Sequence, residues 1–106
     1  MYSLRKRYNS YFQIIRNREL FGYVIYTVSD KRCHLEFGMK PNYIRNGFGK
    51  DFLNVIEEFA QSYFKAISFE VVVSKDNERL LRLLNSMDYD FAVSDESTMT
   101  YKKEVK

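Results

Sequence analysis

Cys33-His-Leu-Glu-Phe-Gly-Met39 runs into Lys40-Pro-Asn-Tyr43, then Ile44-Arg-Asn-Gly-Phe-Gly-Lys50, then Asp51-Phe-Leu-Asn-Val-Ile-Glu-Glu-Phe-Ala60. The first piece reads as a strand, and Pro41, with no N–H for a ladder, ends it. From about Gly47 to Lys65 the apolar residues fall at 48, 52, 55, 56, 59, 60 and 63, the spacing of one helix face. A glycine-rich turn opening a helix presents backbone N–H groups at the positive end of the helix dipole, which suits phosphate. It is not a Walker loop, because Lys50 is followed by Asp51. Nor is it a dinucleotide fingerprint, because Phe52 stands where the third glycine belongs.

Upstream, Tyr11–Arg16 and Leu20–Ser29 read as strands around the turn Asn17-Arg18-Glu19, with Gly22 marking a bulge. Asp30-Lys31-Arg32 turns the chain into the strand Cys33–Met39, which completes an antiparallel meander. Residues 1–10 give no clear period. Downstream, Ala66–Ser74 carries the nearly continuous apolar run of a strand inside a sheet. Lys75-Asp76-Asn77 signals a helix start, and Leu80, Leu81, Leu84 and Met87 share a stripe over Glu78–Met87. Tyr89–Ser94 and Thr98–Glu104 form a hairpin around Asp95-Glu96-Ser97. The expected fold is α+β, ordered β-β-β-α-β-α-β-β in a mixed sheet. Its one parallel pair is made by a right-handed crossover from Cys33 to Ser74.

The 106 residues make one domain, 1–106, and an apolar content of 45% supports folding rather than disorder. The single Cys33 excludes an internal disulfide, and one histidine cannot build a Cys/His zinc cluster, so no metal is expected. No run reaches the length of a membrane span and the start lacks a signal-peptide core, so a cytoplasmic protein with no membrane partner is expected. The net charge of +3 is uneven. Residues 1–32 hold Arg5, Lys6, Arg7, Arg16, Arg18, Lys31 and Arg32 against Glu19 and Asp30. This reads as a solvated basic face. An anionic ligand or nucleic acid is the sharper alternative, but no RNA-recognition motif accompanies it.

Two motifs together resemble the Gcn5-related N-acetyltransferase (GNAT) family, in its ribosomal-protein and polyamine acetyltransferase branch. The first is Phe37-Gly-Met-Lys-Pro41 followed by Ile44-Arg-Asn-Gly-Phe-Gly49. It is similar to the family's strand, Pro and Gln/Arg-x-x-Gly-x-Gly/Ala. The second is Val73-Ser-Lys-Asp-Asn77 leading through a leucine-rich helix to Met87-Asp-Tyr89. The resemblance spans roughly residues 11–104 and departs from the family in four places. Ile44 stands at a Gln/Arg position and Asp88 at a Gly position. Leu84 occupies the place of the tyrosine that protonates the departing thiolate in many members. Only ten residues precede Tyr11, where the family carries a strand and two helices that wall the acceptor pocket.

The resemblance implies acetyl-CoA as co-substrate and an amine acceptor, small molecule or protein, attacked without a covalent enzyme intermediate. For the diphosphate, the amides of Arg45, Asn46, Gly47, Phe48, Gly49 and Lys50 are the expected donors, with charge from Arg45 and Lys50. For the pantetheine arm, the edge of Phe37, Gly38 and Met39 offers N–H and C=O groups, and its N–H groups can polarise the thioester. By strand alternation Glu36 faces away from Cys33 and is the candidate base; its bland reading is a surface carboxylate. His34 shares that face, to assist or as a polar surface residue, while Cys33 belongs to the core. Asn77 is expected at the cofactor, as a helix N-cap, or as both. Phe48, Phe52, Phe59 and Tyr63 are read as core. The alternative function is a non-catalytic acyl-CoA binder or partner subunit, and a homodimer would complete a short acceptor side.

Overall fold

The computed structural model describes residues 2–45 and 47–105. In chain order the elements are β1 (Tyr2–Tyr8), β2 (Tyr11–Arg16), β3 (Glu19–Ser29), β4 (Arg32–Met39), α1 (Pro41–Arg45) and α2 (Gly49–Tyr63). They continue with β5 (Ser68–Ser74), α3 (Glu78–Ser86), β6 (Asp90–Ser94) and β7 (Thr98–Glu104). Seven strands form one sheet in the order β1-β2-β3-β4-β5-β7-β6. Only β4 and β5 run parallel, so the mixed sheet, the meander and the single crossover stand as the sequence implies.

The stretch without a period is a strand. β1 pairs antiparallel with β2 from Tyr2↔Arg16 to Tyr8↔Tyr11, joined by a tight turn in which Asn9 takes φ +46°. Only Tyr2 and Leu4 are half-buried, and the rest of β1 is exposed. An edge strand held by its backbone ladder leaves little hydrophobic pattern, and its Arg5-Lys6-Arg7 run suits an edge that must not recruit another strand. A strand therefore does precede Tyr11. It passes directly into β2, with no helix between them.

The chain that leaves β4 also differs from expectation. Lys40–Tyr43 is not only a turn, because Pro41 opens the short helix α1, a position where its missing N–H costs nothing. The following helix begins at Gly49 rather than Gly47.

The helices α2 and α3 pack their apolar stripes on one face of the sheet. Phe52, Leu53, Ile56 and Ala60 of α2 and Leu84 of α3 meet Phe12, Ile14, Phe21, Val24, Tyr26, Leu35, Phe69, Val71 and Val73 in a single core. Tyr63 departs from its core reading: it ends α2, 53% exposed, stacked on Phe59 at 4.9 Å. The opposite face of the sheet carries Tyr23, Glu36, His34 and Val72. Val72 is 44% exposed, so β5 is covered on one side only. The β2–β3 bulge falls at Phe21, beside Gly22, and turns the Phe21 ring into the core.

Candidate active site

The parallel ladder is short. β4 and β5 pair only from Arg32↔Ser68 to Leu35↔Val71, whereas β4 and β3 stay paired to Gly22↔Met39. Beyond Leu35 the two parallel strands part, and Glu36–Met39 have a strand on one side only. Against that free edge lie the start of α2 and the flank of α3. Together they enclose a cleft of about 570 Å³ whose lining includes Phe37, Gly38, Met39, Gly47, Gly49, Lys50 and Asn77. Seven of the residues expected at a cofactor are thus brought to one place.

The donors at the loop are distributed differently from the expectation. Gly47 N–H donates to the Ile44 carbonyl and Phe48 N–H to the Tyr43 carbonyl, both at 3.3 Å. These two amides are engaged by the protein itself. α2 starts without a side-chain cap, since its N-cap is Phe48. Among the described residues, the N–H groups of Gly49, Lys50 and Asp51 have no acceptor, as the first turn of a helix leaves them. The free amides therefore run from Gly49 to Asp51, one residue further into the helix than the expected set. Arg45 ends α1, and Asn46 lies outside the described residues.

Rings hold this loop in place. The Phe48 ring packs edge-on against Phe21 and Tyr43 at 5.5 and 5.9 Å, and the Arg16 guanidinium lies 5.0 Å from its centroid. Gly47 has φ +76°, a conformation open chiefly to glycine. Gly49 does not; an added Cβ there would meet only Leu83, at 3.4 Å. The absent side chain at Gly49 is space the fold does not need.

Asn77 caps α3 by accepting from Leu80 N–H at 3.1 Å, and it also lines the cleft. Sequence reading missed Arg79 and Arg82 of α3, which also line the cleft. The available signal was their position on α3 beside the leucine stripe.

Where β4 and β5 part, a second, smaller recess is lined by His34, Leu35, Glu36, Phe37, Val71, Val72 and Leu80. It shares Phe37 and Leu80 with the cleft, so the two meet at the fissure between the strands. Glu36 is exposed there and makes no ion pair among the described residues. His34 Nδ1 lies 3.1 Å from Glu70 Oε1. Cys33 is buried, and burial pushes its thiol pKa up, which makes it a poor nucleophile. Leu84 is fully buried. Tyr89, the nearest tyrosine in sequence, donates to Glu57 Oε2 at 2.8 Å inside the core, where burial and that carboxylate push its pKa far up. Leu84 has no proton to give, and the Tyr89 hydroxyl is committed to Glu57. Among the described residues no group of three His, Cys, Asp or Glu is placed to hold a metal, and no helix is long and apolar enough to cross a membrane.

The profile of the Acetyltransferase (GNAT) family matches residues 2–89. The chain belongs to that family. GNAT enzymes are acyl-CoA-dependent, and solved relatives share the fold. Campylobacter jejuni N-acetyltransferase PseH, solved in complex with acetyl coenzyme A, superposes with TM-score 0.82 at 21% identity, over 91% of this chain and 67% of that one. The PaiA N-acetyltransferase from Thermoplasma acidophilum, solved with coenzyme A, gives 0.77 at 16%, over 90% and 60%. The Escherichia coli ribosomal-protein-S18-alanine N-acetyltransferase gives 0.74 at 17%, over 89% and 67%. The chain thus spans about two thirds of the length of such proteins. No curated protein matches the sequence.

Proposed function

We propose that this GNAT protein transfers an acetyl group from acetyl-CoA to an amine entering from the uncovered face of the sheet. The observation that carries the reading is the four-residue free edge of β4 lying beside the uncapped start of α2. The amides of Gly49, Lys50 and Asp51 hold the diphosphate at the positive end of the helix, with Lys50 adding charge. Phe37, Gly38 and Met39 bond the pantetheine amides as an extra strand would. That places the thioester at the fissure, where a β4 N–H can stabilise the oxyanion as the amine attacks.

Glu36 is the proposed base. Its exposed carboxylate attracts an ammonium group and takes a proton from the nitrogen as the tetrahedral intermediate collapses. With Leu84 unable to donate, the departing thiolate is protonated by solvent. Asn77 positions the arm from the other wall.

Acetyl-CoA is expected to raise the melting temperature, and Gly49→Val to abolish that rise with an unchanged circular dichroism spectrum. Gly47 is the poorer target, since its positive φ strains any replacement. Thiol release across a panel of amines then tests the chemistry. Glu36→Gln should keep the thermal response and lose about 10²-fold or more in turnover. A second reading, a non-catalytic acyl-CoA binder, draws on Leu84 and on the helix-free β1–β2 turn. Thermal stabilisation with no thiol release from any amine would select it.

A further inference from the structure

The only histidine of the chain lines the smaller recess with Glu36, and its partner is a carboxylate. His34 and Glu70 are directly opposed across the β4–β5 ladder, with Nδ1 and Oε1 3.1 Å apart. A carboxylate in this contact accepts, so Nδ1 carries the hydrogen and donates it, which leaves Nε2 with a free lone pair. Lys102 Nζ stands 3.7 Å from the second oxygen of Glu70, steadying the carboxylate from the β7 side. The imidazole is about 38% exposed, open enough to exchange protons with water.

Acetylating an amine that arrives as ammonium requires two protons to leave the nitrogen. One goes before attack, to free the lone pair. The other goes as the C–S bond breaks and the amide forms. Glu36 accounts for only one of them.

We propose that His34, oriented by Glu70, takes the first proton. Nε2 accepts it from the ammonium group, and the imidazolium is stabilised by the Glu70 carboxylate. The neutral amine then attacks the thioester carbon, the C–S bond breaks and its electron pair leaves with the thiolate. Glu36 receives the second proton, both residues return theirs to solvent, and solvent protonates the thiolate. Glu70 is a positioning residue in this account. The charged and titratable groups around the imidazole are Glu70 from β5, Lys102 and Glu104 from β7, and Arg32 and Glu36 from β4 itself, while β3 presents Thr27. This inference rests on the acetyltransferase reading above.

Because the chain has one histidine, long-range ¹H–¹⁵N spectra report its tautomer without assignment. The wild type should show a protonated Nδ1 and a bare Nε2, and Glu70→Gln should lose that bias. In thiol release with whichever panel amine the wild type turns over fastest, His34→Gln should lower kcat/KM about 10²-fold near neutral pH. The deficit should narrow towards pH 9, as more of the amine is already unprotonated. Glu70→Gln should fall between the two, and all three proteins should respond equally to acetyl-CoA in thermal shift. An Nε2–H tautomer in the wild type, a His34→Gln variant as fast as the wild type, or a deficit independent of pH would each overturn the role. Wild-type turnover with an unaffected His34→Gln removes only this inference. Failure of the wild type to turn over any amine removes it together with the proposed function.

Discussion

Gly22 and Gly38 sit on neighbouring strands and are small for different reasons. A Cβ on Gly22 would lie 2.3 Å from the Gly38 carbonyl oxygen and 2.7 Å from the Phe52 ring, so it would push on backbone and on the root of α2. A Cβ on Gly38 would meet the Tyr23 ring at 2.5 Å, on the uncovered face, where that ring is 36% exposed and can swing away. Gly22→Ala is therefore expected to cost about 1–3 kcal/mol in urea unfolding, and Gly38→Ala clearly less. Because Gly22 pairs with Met39 across the ladder, in the β4 segment whose other edge is free, its replacement should also weaken acetyl-CoA binding. Equal destabilisation by the two variants would contradict this reading of the pair.

At the scale of elements, the hairpin of β6 and β7 is pinned by one carboxylate. Asp95 Oδ1 accepts from Ser97 N–H at 2.9 Å and Thr98 N–H at 2.8 Å. The backbone bond from Ser97 first, then those from Thr98, hold its pKa below the usual carboxylate range. A carboxyl depressed in the folded state contributes stability above the pH at which free aspartate titrates, about 3.9, and loses it as pH falls through the folded value. The melting temperature of Asp95→Ala should therefore lie below that of the wild type at neutral pH. The gap should close on acidification below about pH 4. A gap that is constant across this range would show that the charge is not what matters.

Elements also explain what was legible. The strands and helices that bury one face advertised themselves: β2 through aromatic and branched residues, α2 through its 3.6-residue stripe, and β5 through its apolar run. β1 did not, because an edge strand stabilised by backbone bonds and decorated with Arg5, Lys6 and Arg7 carries no period. The cleft was legible in Gly47, Gly49, Phe37–Met39 and Asn77, since turn glycines and a capping side chain are local signals. The engagement of the Gly47 and Phe48 amides was not, because it depends on α1 forming between Pro41 and Arg45. The His34–Glu70 contact joins residues 36 apart in sequence and needs the ladder register.

At the scale of the whole molecule, a buried polar chain ties α2 to β7 on the helical face of the sheet. Glu57 of α2 is 5% exposed, and it accepts from Tyr89 and pairs with Lys103 of β7 at 2.9 Å. Lys103→Met would leave this carboxylate buried without its cation, a loss on the order of 3 kcal/mol. Adding Glu57→Gln, which keeps an acceptor for Tyr89 but removes the charge, should recover much of that loss. Chemical denaturation of the single and double variants measures this, and additive losses would show that the pair is not coupled.

Amide spectra recorded during an acetyl-CoA titration show where the cofactor is held. Gly49, Lys50 and Asp51 should shift most, together with Phe37–Met39, while β1 and β6 stay still. Saturating acetyl-CoA that leaves those six amides unmoved, or that moves a different surface, would contradict this placement.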